Sequence, residues 1–329
     1  MDDVIRYSLV AAREAWMHAG LPASSDDRRR RGCVLGIGGG GETTHDRAMR
    51  DIYKMGRERL HPMTLPNVMV SGSAGRVAID LGLRGPNFTI SSACASGSHA
   101  IAQAAQLIAC GQADVMLAGG SEAPFALGAM RSWEALKVLS PSRCRPFADD
   151  RDGMTLGEGS AIMVLERAEH AARRGAKVLA ILAGSAMTCD ATSMVAPDVS
   201  GMADAMRKAY DSKTDRDIPD LVIAHGTGTR LNDDLELEAM RSAFGTLPRF
   251  YSPKGQVGHM LGAAGAFNSV IAALSVYHGR SPAARLPTGD PAAENSPEDT
   301  PVGSALANAF AFGGLNVSLL FRSSNEQSL

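Results

Sequence analysis

Residues 87–109, NFTISSACASGSHAIAQAAQLIA, run a β-rich segment into an alanine-rich helix through one small polar turn. Residues 250–279, FYSPKGQVGHMLGAAGAFNSVIAALSVYHG, repeat the plan of strand, polar turn and long apolar helix. Strands that feed helices across such short turns belong to layered α/β folds. The composition agrees: 35 glycines and only 5% aromatic residues suit tightly packed α/β layers better than a β-sandwich. A chain of 329 residues can bury roughly three quarters of its unfolded surface, so a large core is expected.

Charge and cysteine usage narrow the class. The formal net charge of −2 gives no global case for a nucleic-acid partner or an anionic membrane. The sequence shows no uninterrupted apolar run of about 18 residues, so no membrane span is expected. The start, MDDVIRYSLVAAREAW, carries acids where a secretory signal carries bases. Five cysteines at 33, 94, 110, 144 and 189 are odd in number and contain no CxxC pair. That usage points to reduced thiols and a cytoplasmic setting rather than a disulfide frame or a zinc site.

Helical periodicity runs through Val4, Ile5, Leu9, Ala12 and Trp16, and Gly20 and Pro22 end it. The DDRRRRG stretch reads as a solvated loop before a strand, with a phosphate site as the competing reading. CVLGIGGGG reads as a buried strand entering a glycine-rich turn. Its spacing gives no clean GxGxxG opening a helix, so a dinucleotide loop is disfavoured. Helices are predicted over 72–83 and 96–110, and strands at NFTIS, ADVMLAGGSEA and GSAIMVLE. The charged run RAEHAARRGAK marks a half-way boundary, which divides the chain into residues 1–172 and 173–329. In the second half PDLVIAHGTGT is a buried strand ending at His225, and ALANAFAFGGLNVSLLF supplies two strands around a Phe-Gly-Gly turn. Two similar halves imply an internally duplicated α/β fold. Such sheets build active sites where strands end and helices begin. The tail SSNEQSL is expected to fray.

Cys94 sits in the hydroxyl-rich frame SSACASGS at a predicted helix start, where the helix dipole and open backbone N–H groups favour a thiolate. The competing reading is a small buried structural cysteine. Cys110, at the end of the same helix, takes the structural reading. His225 emerges from an apolar strand into glycines with Thr227 and Thr229 as a polar pocket floor; functional and structural readings are balanced there. Lys254 and His259 are five apart in KGQVGH and place a cation and a donor on one turn, with a phosphate-binding turn as the alternative. His45, His61, His99, His170 and His278 have no comparable setting. No candidate ligands show zinc-like spacing, so no metal is expected.

Taken in order, SSACASGSHAI, RPFADDRDGMTLGEGSAIMVLE, HGTGT, KGQVGHMLGAAGA and NAFAFGG resemble the elongating β-ketoacyl-acyl-carrier-protein synthases of the thiolase superfamily. The likeness runs from Met1 nearly to the C-terminus. It implies a five-layered α-β-α-β-α thiolase-like fold of two pseudo-equivalent halves, the first carrying Cys94 and the second His225, Lys254 and His259. It implies an acyltransferase that condenses an acyl thioester with malonyl-acyl-carrier protein and releases CO₂, in fatty acid or polyketide-type elongation. Cys94 would carry the acyl chain, and His225 and His259 would hold the enolate oxygen. Lys254 would set the protonation and orientation of the histidines. The backbone N–H groups of Cys94 and Phe312 would form a second oxyanion hole, and Phe312 would gate entry of the malonyl arm. Gly39 falls where the family places a bulky aliphatic residue that closes the acyl tunnel; the competing reading is that the four glycines only make a tight turn. No cofactor is implied, because the substrates ride on the phosphopantetheine arm of acyl-carrier protein. The partners implied are that carrier and a second synthase, as homodimer or as heterodimer with a paralogue.

The sequence departs from the family in three places. The family opens with a strand and a glycine-rich turn some sixty-odd residues before the equivalent of Met1. That strand is expected to be central in its sheet, so its loss would leave a ladder unpaired; the expectation is either that Met1 is a mis-assigned or alternative start or that the isolated chain is poorly soluble. Asn268 stands where the family has a glutamate near the lysine. Ala148 stands where it has an aspartate after RPF. The alternatives kept open are a non-catalytic or chain-length-determining partner subunit, which generally lacks the cysteine, a degradative thiolase, and a starter-type synthase. A thiolase tends to use a second cysteine near its C-terminus, whereas the last cysteine here is Cys189. A starter-type synthase uses Asn where this chain has His259.

Overall fold

The computed structural model describes residues 1–22, 27–210, 218–282 and 300–324. Residues 325–329 of the tail expected to fray lie outside the described residues. The described residues gather into two compact units, Met1–Lys137 with Leu156–Ala176 and Met260–Ala263, and Val138–Thr155 with Lys177–His259 and Ala264–Leu329.

The first unit begins with α1 (Asp3–His18). The Asp2 side chain caps it by accepting from the Val4 N–H, and Val4, Ile5, Ala12 and Trp16 are buried along one face. There follow β1 (Arg31–Gly36), α2 (Glu42–Tyr53), α3 (Thr64–Val68), α4 (Gly72–Leu81), β2 (Asn87–Ile90), α5 (Ser96–Ala109), β3 (Val115–Glu122) and α6 (Leu127–Ala135). The unit closes with β4 (Gly159–Glu166) and α7 (Ala168–Arg173). Its sheet has the order β2-β1-β3-β4; β1 runs parallel to β2 and β3, and β4 is antiparallel to β3. Both central strands are buried along their whole length, which is why they read as continuous apolar runs without alternation. Leu35, Leu117, Val77 and Trp16 meet in its core. Each such side chain contributes roughly 1.5–3 kcal/mol of transfer free energy.

The second unit contains β5 (Ile181–Cys189), α8 (Val199–Tyr210), β6 (Leu221–Ile223), α9 (Arg230–Phe244), β7 (Phe250–Tyr251), α10 (Lys254–Val257), α11 (Ala264–His278), β8 (Ser304–Ala311) and β9 (Leu315–Arg322). Its sheet has the order β7-β6-β8-β9-β5, with β6 parallel to β7 and β8, and β9 antiparallel to β8 and β5. The first four strands reproduce the order and sense of the first sheet, so the duplication expected from the sequence is visible in topology. Met202, Met206, Met240 and Leu306 fill the core between α8, α9 and this sheet.

Several expectations are corrected. The opening strand of the second sheet, β5, pairs only with β9 and lies at the edge. A strand at the start of such a half is therefore peripheral and not central. The compact units change over at Ala176/Lys177, and two short segments gather with the unit outside their own stretch of chain. Residues 138–155 gather with the second unit because Gly153 N donates to Gly228 O (3.0 Å) and Phe147 N to Asp233 Oδ2 (2.8 Å). Residues 260–263 gather with the first, where Gly262 N donates to Glu122 Oε2 (2.9 Å). The arginine run is not merely a solvated loop. Arg30 makes a two-point contact with Asp114, and Arg31 is the buried first residue of β1, with its guanidinium 5.4 Å from the Trp16 ring. Finally, the helical stretch Leu261–His278 is long and apolar enough to cross a membrane by length and composition, but 61% of it is buried, as a core helix packed on β8 would be.

Candidate active site

In the first unit, β2 delivers the chain to Cys94 and α5 takes it away. Ala93 holds φ +49°, a conformation that side chains other than glycine adopt at a cost. The turn is fixed by Ser96, whose hydroxyl donates to Ala93 O (2.6 Å) while accepting from Ser92 N (2.9 Å). Cys94 is buried just ahead of the first turn of this 14-residue helix, where the dipole favours negative charge on sulfur. β1 approaches the same helix start so closely that a Cβ on Gly36 would lie 2.3 Å from Gly97 N. The other cysteines differ. Burial pushes the Cys144 thiol up to about 11, and its sulfur donates to Thr227 O. Burial raises the Cys33 thiol further still, and Cys110 is the exposed C-cap of α5. His99, without a role in the sequence reading, bonds Ser92 Oγ (2.9 Å) through Nδ1 and is held below the usual imidazole range by burial.

Gly39 lies in the turn after β1. Its N–H and that of Gly38 donate to the buried carboxylate of Glu122, at 3.0 and 2.8 Å. A Cβ built on Gly39 would fall 1.9 Å from Glu42 Oε1. The space that a side chain at 39 would fill is already taken by Glu42. Its carboxyl is pushed up to about 7 by burial and by the charges of Glu122 and Asp2.

In the second unit three predicted residues come together. β6 ends at Ile223 and His225 follows it, buried, with its ring edge-to-face to His259 at 5.3 Å between centroids. Lys254 starts α10, is fully buried, and donates from Nζ to the His225 carbonyl. Gly258 then takes φ +73° and ψ 179°, which only glycine adopts readily, and turns the chain so that His259 enters the site. His259 N donates to Thr155 O at 2.7 Å. Both imidazoles are held well below their ordinary range, first by burial and then by the Lys254 charge. They are therefore neutral at pH 7, and each ring has one N–H to offer an oxygen.

Thr227 and Thr229 follow His225 in the chain, with their hydroxyls bonded to each other at 2.8 Å. Phe312 is half-buried in the turn from β8 to β9, where Gly313 (φ +84°) and Gly314 (φ +69°) take conformations that suit glycine. Asn268 is buried on α11 and donates to Ala224 O and Asn308 O. Ala148 lies in the turn of residues 145–151 and accepts from the Arg151 side chain.

Sequence reasoning missed the acids that hold these turns. Glu236 accepts from the N–H groups of His225 and Gly226, both at 2.8 Å, and Asp233 accepts from Thr227, Gly228 and Phe147. Burial raises both carboxyls, Glu236 to about 7. The signal was an acid pair three apart on α9, one helical face, directly after HGTGT.

Known proteins resemble this chain along nearly its whole length. The β-ketoacyl synthase N-terminal domain matches residues 1–171 and the C-terminal domain residues 179–285. Nodulation protein E of Rhizobium leguminosarum bv. trifolii is 43% identical, over 98% of this chain and 82% of its own length. The 3-oxoacyl-[acyl-carrier-protein] synthase 2 of Staphylococcus aureus is 35% identical, over 98% and 84%. A type II polyketide synthase ketosynthase, solved with its acyl-carrier protein and bound to the hexaketide, superposes with a TM-score of 0.88 at 30% identity, over 98% of this chain and 85% of that one. The fold is the thiolase-like α/β fold of the ketosynthases, and the chain belongs to the β-ketoacyl synthase family.

Proposed function

We infer that this chain catalyses the decarboxylative Claisen condensation of an acyl thioester with a malonyl thioester, both carried on acyl-carrier protein. The observation that carries the reading is the pair of neutral, buried imidazoles backed by Lys254. A thiolate both attacks thioesters and leaves from them, so Cys94 exchanges with the acyl thioester: the S–acyl bond forms on Cys94 and the carrier thiol departs. Malonyl then loses CO₂, and the electron pair left behind is an enolate. The N–H groups of His225 and His259 donate to its oxygen in a site free of bulk water. One such donor is typically worth roughly 3–4 kcal/mol. The enolate carbon attacks the acyl carbonyl and Cys94 leaves as thiolate. No cofactor is required by these steps, since the acyl groups arrive on a phosphopantetheine arm. Cys94 weighs against a non-catalytic partner subunit, which has no use for a thiol at a helix start.

The test is intact-mass measurement after mixing with acyl-carrier thioesters. Wild type gains the acyl mass; Cys94→Ala gains none and loses condensation, while release of CO₂ from malonyl-carrier protein persists. Acyl mass on Cys94→Ala would remove Cys94 from the reaction.

A further inference from the structure

β6 stops at Ile223, while its parallel partner β8 runs on to Ala311. The register pairs Ile223 with Ala307, so one step further Ala224 lies opposite Asn308. At that step the carbonyls of Ala224 and Asn308 both accept from one atom, Asn268 Nδ2, at 3.0 Å each. A primary amide nitrogen has two hydrogens, and here both are spent, one just past the end of β6 and one inside β8. The same two segments lead to the residues of the proposed chemistry. Ala224 immediately precedes His225, and Asn308 is two residues before Phe310, whose ring lies 6.2 Å from that of His225. Asn308 also donates to Glu236 Oε1 (3.4 Å), the atom that accepts the His225 N–H.

The His225 backbone is thus gripped at three successive groups. Its N–H is held by Glu236, its carbonyl by Lys254, and the carbonyl before it by Asn268. We propose that Asn268 is a positioning residue for His225, its amide setting the peptide plane from which the imidazole projects. This rests on the function proposed above. The glutamate expected at 268 from the family resemblance could not do the same work when ionised, because a carboxylate offers only acceptors to two carbonyls that are themselves acceptors. This chain meets the requirement with an uncharged donor that is insensitive to pH.

Asn268→Asp keeps the shape and removes the donors. The titratable groups of the surrounding network are Glu236 on α9, Lys254 on α10, His225 and His259. Lys254 favours ionisation of an introduced carboxyl; burial, Glu236 and the two carbonyls oppose it. When protonated, the carboxyl returns one of the two hydrogen bonds; when ionised, it returns neither. The expected result is CO₂ release from malonyl-carrier protein that is close to wild type at low pH and falls by roughly tenfold or more relative to wild type as pH rises, the scale of a lost buried hydrogen bond. Asn268→Leu, with no group to titrate, should lose a similar factor at every pH. Acylation of Cys94, read by intact mass, should be unchanged in both variants. Wild-type CO₂ release from both variants overturns the proposal. So does an equal loss of acylation and CO₂ release without a pH difference, and so does failure of both to fold at every pH, which makes Asn268 a stability element. Wild type that shows neither acylation nor CO₂ release would instead overturn the function proposed above.

Discussion

The turns after β1 and β6 occupy equivalent places in the two sheets and serve different ends. Both leave backbone N–H groups that no strand can satisfy, and both give them to buried carboxylates. After β1 the acid is Glu122, from the end of β3; after β6 the acids are Asp233 and Glu236, from α9. A carboxylate accepts from several directions, so one or two acids can hold a whole turn. Since the acids come from non-equivalent elements, the backbone of a tight turn demands them and the duplication does not supply them. The side chains differ more sharply. The first turn is all glycine and isoleucine, whereas the second presents His225 with Thr227 and Thr229. The first turn offers only backbone and packing, whereas the second carries the imidazole to which the proposed function gives the chemistry.

That contrast breaks most readily at the histidines. His225→Ala and His259→Ala should each slow CO₂ release by roughly 10²-fold or more, the scale of one lost oxyanion donor. The double substitution should cost less than the product, because both donors serve one oxygen. Near wild-type CO₂ release from His225→Ala would leave the second turn as inert as the first.

The carboxylates test the likeness and not the difference. Glu236→Ala strands the N–H groups of His225 and Gly226, and Glu122→Ala strands those of Gly38, Gly39 and Gly262. Each should cost roughly 2–4 kcal/mol in denaturant unfolding. A neutral result at either position would end the equivalence of the two turns.

Smaller effects are expected at Gly39. Gly39→Ile must displace Glu42, since its Cβ would lie 1.9 Å from the Glu42 carboxyl. The variant should lose stability, and Glu42→Ala in the same chain should restore part of it. Competition between short and long acyl-carrier substrates then separates the two readings of this turn. Selective loss with long donors would assign it to the acyl tunnel, and equal loss would assign it to the backbone alone.

The smallest effect is a pH dependence confined to the first unit. Glu42 is raised to about 7 in the folded chain, so below the unfolded value near 4.5 it costs nothing. As pH rises from there to about 7, the unfolded state gives up its proton first and stability falls. Half-exposure limits the loss to roughly 1 kcal/mol. Melts of wild type and Glu42→Gln across that range should diverge by this amount, the Gln variant being the flatter.

Much of this was legible beforehand, because local physics wrote it. The strands β1, β3, β6 and β8 are buried on both faces and therefore read as unbroken apolar runs. Cys94, Lys254 and His259 stand at strand-to-helix turns that glycine and serine announce. The arginine run misled because nothing local distinguishes a solvated arginine from Arg31, which is buried with its guanidinium over Trp16.

The sequence by itself determined the fold class, the duplication and the candidate residues on which the proposed function rests, since each depends on residue types within a few positions of one another. The tertiary structure decided what those groups can do. Neutral imidazoles at His225 and His259 follow from burial beside Lys254, and Glu42 fills the space next to Gly39. Asn268 reaches across 44 residues to Ala224 and 40 to Asn308. Desolvation and hydrogen bonding between distant segments exist only once the chain has closed on itself, and no local pattern of residues records them.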